Sequence, residues 1–153
     1  MKSLLFIPLA ALLLMGVLAQ TVSARTMAVR WQKPTTDKVV CGINEKEMTK
    51  AVRELSRSLY TKDIDVQFGY VTFTKEQPTG DAASAVGLWI NGKPFEYWLH
   101  AQSAMNAGCV ELTVDGQTYR TIPADLIVKA GMTAAEVMKA PVAREKPKQA
   151  AAH

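Results

Sequence analysis

The 153-residue chain reads as a small α/β layer fold, with α+β as the alternative, in which helices pack on a small mixed sheet. Three observations predict it. A period-two apolar stretch at Met27, Val29 and Trp31 is followed by an amphipathic helical stretch and then by a second alternating stretch from Ile64. Two dipeptides, Asn91-Gly92 and Asp115-Gly116, have the sequence of two-residue hairpin turns. The order strand, helix, strand, strand, hairpin, helix then makes the first unit a parallel strand-helix-strand with a right-handed crossover.

Met27, Val29 and Trp31 alternate with Ala28, Arg30 and Gln32 and give a first strand, which Pro34 stops. Asn44 followed by Glu47 is a capping-box pattern, with Glu47 expected to reach back to the cap. From there Met48, Ala51, Val52, Leu55 and Leu59 recur at helical spacing, while Lys46, Lys50, Arg53, Glu54 and Arg57 fill the other side, so a helix runs to about Tyr60. Ile64, Val66, Phe68 and Tyr70 alternate, and Val71 and Phe73 take the opposite parity, which predicts a second strand with a bulge near Gly69. Residues 75–81, with Pro78 and Gly80, read as a loop.

The apolar run at 86–90 is a third strand entering the Asn91-Gly92 turn. Pro94 confines the next residues to a short or edge segment, and residues 95–100 have room for a short helix carrying Trp98 and Leu99. Val110, Leu112 and Val114 alternate up to Asp115-Gly116, and the chain returns over 118–122 as a hairpin. Pro123 opens a helix through Ala130, Gly131 reads as its cap, and Thr133 with Glu136 opens another short turn. From Pro141 onward the chain has no apolar period.

Composition bounds the function. The net charge is +4, 48% of residues are hydrophobic, and there are two cysteines, too few for a disulfide scaffold or a four-cysteine zinc site. Lys2, an apolar run over 4–18 and the small residues Val22, Ser23 and Ala24 form a secretory signal, with cleavage expected after Ala24. The run is about 15 residues, where a membrane span needs roughly 20. The domains are therefore read as a signal peptide at 1–24, one folded domain at 25–140 and a disordered tail at 141–153, and the mature protein as periplasmic or secreted, with no membrane association after cleavage. Basic and acidic residues are interleaved without a basic stripe, which argues against nucleic acid as a partner.

Cys41 lies just ahead of the Asn44 cap, where the positive end of a helix dipole favours thiolate. Thiol oxidoreductases use this arrangement with a second cysteine three residues on. Here that position is Asn44, so Cys109 is the only intramolecular partner. A bridge would close a loop worth about 4 kcal/mol in the chain-entropy model. Such a bridge is either structural or redox-active, with Cys41 and Cys109 as the catalytic candidates and thiol-disulfide exchange as the reaction if the protein is an enzyme. The alternative is a module binding a soft metal of the copper type, or a protein partner, through His100, Met105 and Cys109, with Cys41 nearby. No other cofactor is indicated, since phosphate loops, haem attachment sites and zinc-protease spacings are lacking. Trp89, Phe95, Tyr97 and Trp98 read as core, or as a protein-docking surface where exposed.

The run Leu88-Trp89-Ile90-Asn91-Gly92-Lys93-Pro94-Phe95-Glu96-Tyr97-Trp98-Leu99, then Cys109, then Val114-Asp115-Gly116-Gln117-Thr118-Tyr119 and Ile122-Pro123-Ala124-Asp125-Leu126, resembles an uncharacterised prokaryotic family, DUF2703, a domain of unknown function with a thioredoxin-like fold. The helix residues Lys50 to Leu55 fit the same pattern. The resemblance implies a cysteine pair before the first helix and a cysteine cluster before the hairpin, and hence thiol or soft-metal chemistry. Cys41 fits the first position of the early pair, with Asn44 standing where another cysteine is expected. Cys109 fits the last position of the later cluster, whose other places fall among residues 100–108, which contain no cysteine.

Overall fold

The computed structural model describes residues 25–33, 41–71 and 83–139. The expected signal peptide, the stop at Pro34, the loop at 75–81 and the expected tail lie outside the described residues. Among the described residues ten elements appear in chain order: β1 (Arg25–Trp31), α1 (Glu45–Tyr60), β2 (Ile64–Tyr70), β3 (Leu88–Ile90), β4 (Lys93–Pro94), α2 (Phe95–Leu99), β5 (Gln102–Asn106), β6 (Cys109–Val114), β7 (Gln117–Tyr119) and α3 (Ala124–Lys139). They form two sheets, one ordered β2-β1-β3-β4 and one ordered β5-β6-β7. The mixed α/β expectation holds, and β1 and β2 are parallel as the strand-helix-strand reading requires.

β1 is the centre of the first sheet. Met27, Val29 and Trp31 point to one face and are fully or almost fully buried, while Ala28 and Arg30 on the other face are half-buried. β3 runs antiparallel beside it, pairing Val29 with Ile90 and Trp31 with Leu88, so the period-two pattern of β1 continues across the strand boundary. Asn91 then does two jobs. It adopts φ +50° ahead of Gly92 at φ +75°, the conformation of a tight hairpin turn, and leads into β4. Its backbone N–H also donates to the Ala28 carbonyl at 2.8 Å, while its side-chain oxygen accepts from the Ala28 N–H at 2.9 Å. Pro94 sits in the two-residue edge strand β4, where its missing N–H costs no ladder bond.

α1 and α3 pack together over the buried residues of the sheet. Met48, Ala51, Leu55 and Leu59 of α1 join Ile127, Ala130, Ala134 and Ala135 of α3 in one apolar cluster with β1 and β3. The expected break at Gly131 does not occur, and α3 is a single 16-residue helix. A Cβ at Gly131 would stand 2.5 Å from Leu55 Cδ2, so this glycine allows the two helices to approach and does not end one of them. The bulge expected near Gly69 is likewise absent. β1 and β2 pair one to one through Arg30 and Gly69, and the missing side chain at Gly69 leaves room for the Arg30 guanidinium, 3.1 Å from where its Cβ would be.

Of the four large residues at 89–98, Trp89, Phe95 and Trp98 are core, and the Trp98 indole N–H donates to the Ile90 carbonyl at 3.0 Å. Tyr97 is exposed. The short helix expected over 95–100 is α2, closed by His100 in the left-handed conformation at φ +50°. β5 is a strand that the sequence reading did not anticipate.

Substituting Gly131→Ala gains up to about 1 kcal/mol of helix propensity but overpacks the α1–α3 contact, which typically costs about 1–3 kcal/mol. The expected result is a net loss of about 1 kcal/mol in chemical denaturation. In a Leu55→Ala background the same substitution should become neutral or stabilising. An equal loss in both backgrounds would show that Leu55 is not the obstacle.

Candidate thiol site

The four residues ahead of α1 are pinned one by one. Asn44 is the N-cap, its side-chain oxygen accepting from the Glu47 N–H at 2.9 Å. Ile43 is buried in the core. Gly42 has φ +89°, a backbone conformation that disfavours any side chain there, and it forms an isolated parallel bridge with Thr121. Its N–H donates to the Arg120 carbonyl at 2.6 Å, and its carbonyl accepts from the Ile122 N–H at 2.9 Å. Cys41 is thus carried alongside the chain that leaves the second sheet.

Cys109 reaches the same place from the other direction. The two-residue turn Ala107-Gly108, with φ values of +49° and +77°, reverses β5 into β6 and makes Cys109 the first residue of the return strand, opposite Asn106. The Cys41 and Cys109 α-carbons are 5.7 Å apart, within the range a disulfide requires, and the two sulfurs are bonded. Both residues are half-buried. The bridge expected from the cysteine count is therefore present, and it joins the approach to α1 to the hairpin of the second sheet.

Polar residues frame the bridge on the face of the sheet that carries Cys109. Glu111, two residues along β6, accepts from the Asn106 side-chain N–H at 3.0 Å and from Arg120 Nε at 2.6 Å. These two hydrogen bonds, Arg120 first, hold the Glu111 carboxyl below the usual carboxylate range. Arg120 touches both sides of the site, since its carbonyl accepts from Gly42 while its guanidinium holds Glu111. Sequence reasoning passed over this pair although the signal was there: a two-residue turn at Asp115-Gly116 sets Glu111 opposite Arg120. Asp115 itself is held below the usual range by its 2.7 Å hydrogen bond from Lys129 Nζ.

Glu47 departs from its expected role. Its carboxylate accepts from the Ala124 N–H at 2.8 Å, so it caps the first turn of α3 and does not reach back to Asn44. A carboxylate at a helix N-terminus complements the positive end of the dipole. The contact ties α1, whose cap is three residues beyond Cys41, directly to α3.

The soft-metal candidates are distributed differently. Met105 is 72% exposed and pairs across the sheet with Val110, whereas Cys109 pairs with Asn106, one residue on. Alternate residues of a strand face opposite sides, so Met105 and Cys109 project from opposite faces. His100 precedes β5, whose length of about 14 Å separates it from the Ala107-Gly108 turn that leads into Cys109. His100 instead lines a shallow cleft with Glu96, Tyr97 and Ser103. Among the described residues no three of His, Cys, Asp and Glu gather in a metal-binding group. No helix among them is long and apolar enough to cross a membrane.

A family model described as "Domain of unknown function (DUF2703)" matches residues 27–131. An uncharacterised protein from Archaeoglobus fulgidus is 28% identical over 112 residues, covering 66% of this chain and 82% of its own. No solved structure matches.

Because the folded pKa of Glu111 is depressed, its contribution to stability is present above the unfolded pKa and is lost as pH falls through the folded value. The stability difference between the natural protein and a Glu111→Gln variant should therefore be largest near neutral pH and shrink below about pH 4. A difference independent of pH in urea titrations would show that the Arg120 and Asn106 bonds do not favour the ionised form.

Proposed function

Since the chain belongs to DUF2703, a family described only as a domain of unknown function, its own geometry must carry the reading, and we propose that it is an exported thioredoxin-like domain whose Cys41–Cys109 pair is a thiol-disulfide exchange site. One observation carries this: two cysteines 68 residues apart meet beside the N-terminal approach to α1, half-buried and within reach of solvent. Support for the thioredoxin-like assignment comes from the parallel β1-α1-β2 unit, the antiparallel β3 and β4 beside it, and the final helix packed on α1. Support for export comes from the leader pattern at 1–24 and from the persistence of disulfides in oxidising compartments such as the periplasm.

The exchange chemistry is set by the placement. In the reduced protein Cys41 lies nearer the positive end of the α1 dipole and is the thiolate that attacks a substrate disulfide, forming a mixed disulfide and releasing one substrate thiol. The Cys109 thiolate then attacks the Cys41 sulfur, re-forming the bridge and releasing the second substrate thiol. The pair gives up two electrons and two protons, and the substrate disulfide takes up both. Only one observation favours copper binding by the reduced thiols with His100 and Met105, namely the exposure of Met105.

Equilibration with glutathione redox buffers should give the bridge a reduction potential above about −300 mV, outside the range of inert structural disulfides. A Cys109→Ser variant should then accumulate a mixed disulfide through Cys41. A potential below that boundary would leave the bridge a purely structural clamp. In that case the Cys41→Ser variant should still lose about 2–5 kcal/mol of stability.

A further inference from the structure

β5 is an edge strand built without the devices that keep sheet edges apart. All five of its residues are exposed. None is charged, none is proline, and the pairing with β6 is one to one from Gln102↔Thr113 to Asn106↔Cys109, so there is no bulge. The other edges among the described residues differ. β2 carries Asp65, β4 has two residues and contains Pro94, and β7 has three residues. Long, uncharged, unbulged edges are the ones that pair with another strand. β5 is also attached at both ends. Its entry is anchored where the Ala101 N–H donates to the Glu96 carbonyl at 3.0 Å, and its exit runs into a tight turn and then the Cys109 bridge.

The hairpin decides which groups face outward. A two-residue turn makes its flanking pair, Asn106 and Cys109, exchange hydrogen bonds, and bonded pairs then alternate along the ladder. Gln102, Ala104 and Asn106 therefore bond to β6, while Ser103 and Met105 direct their N–H and C=O groups away from it. Among the described residues nothing receives them.

We infer that β5 pairs antiparallel with β5 of a second copy about a two-fold axis through Ala104, joining the two three-stranded sheets into one of six strands. In this register Ser103 of each copy exchanges both backbone hydrogen bonds with the partner's Met105, four bonds in all, using every outward group of the strand. The Gln102 side-chain amide lies opposite the partner's Asn106 amide, a self-complementary pair, and no like charges meet. The Met105 side chain lies across the partner's Ser103. The contact is small, since five residues of edge fall below the area of a stable obligate interface, so the assembly is a concentration-dependent dimer.

Sedimentation velocity of the oxidised full chain should show the sedimentation coefficient rising from the monomer to the dimer value over a hundredfold increase in concentration. Amide exchange should slow at Ser103 and Met105 over the same range, with Ala104 unchanged because its N–H is already bonded within the hairpin. A Gln102→Lys, Asn106→Lys variant sets lysines opposite one another across the axis and should remain monomeric. A Gln102→Glu, Asn106→Lys variant sets opposite charges there, keeps a donor beside Glu111, and should dimerise at least as strongly as the natural chain. A monomer throughout, unchanged exchange at Ser103 and Met105, or equal dimerisation of the two variants would each overturn the pairing. None of these readouts depends on the redox behaviour of the bridge.

Discussion

The rest of the molecule depends on the attachment of residues 41–44 to the second sheet. Cys41 makes a covalent bond and Gly42 two backbone hydrogen bonds to the chain of the second sheet, while the next two residues fix the segment to the first unit, Ile43 by burial in the core and Asn44 as the cap of α1. Without them the β5-β6-β7 sheet would meet the first unit mainly through Leu112, Val114 and Ile122, a small apolar contact for three strands and a turn. The cap and each hydrogen bond are worth on the order of 1 kcal/mol and burial of Ile43 about 1.5–3 kcal/mol, and they act on consecutive residues and fix one orientation. The bridge therefore restrains a junction that is already geometrically defined.

The helix ends extend the same logic. Glu47 is buried enough to be useful and charged enough to cap, and it serves α3 while Asn44 alone serves α1. At the opposite end Arg25 donates to the Met138 carbonyl at 2.9 Å and to the Lys62 carbonyl at 3.2 Å, placing a cation against carbonyls near the C-terminal ends of both helices. The α1–α3 layer is thus clamped by an anion at one end, a cation at the other, and the close approach at Gly131 between them.

How much of this could be read in advance depended on whether burial left a mark on the sequence. β1 was legible because alternate side chains, Met27, Val29 and Trp31, enter the core, and α1 because its apolar stripe and its Asn44 cap agree. Asn91-Gly92 and Asp115-Gly116 were legible because only a few residues tolerate positive φ in tandem. β5 was not, since a strand exposed on both faces carries no alternation, and its turn uses Ala107, an ordinary residue in an uncommon conformation. In sequence Gly131 and Gly69 have the look of chain punctuation, yet both are glycines for what lies opposite them, Leu55 and Arg30. The cysteine pair was legible because there are only two. That Arg120 would bind both sides of it could not be read from spacing along one strand, because Gly42 reaches the sheet by way of a single bridged residue.

The long span of the disulfide also sets a timetable. Cys41 and Cys109 are separated by 68 residues, so during synthesis at about 5–20 residues per second the first thiol waits about 3–14 s for its partner. Throughout that interval Cys41 has no intramolecular thiol to pair with. The bridge can close only once the Ala107-Gly108 turn brings Cys109 round to Cys41, so the covalent link between the two halves of the fold comes late in the order of assembly.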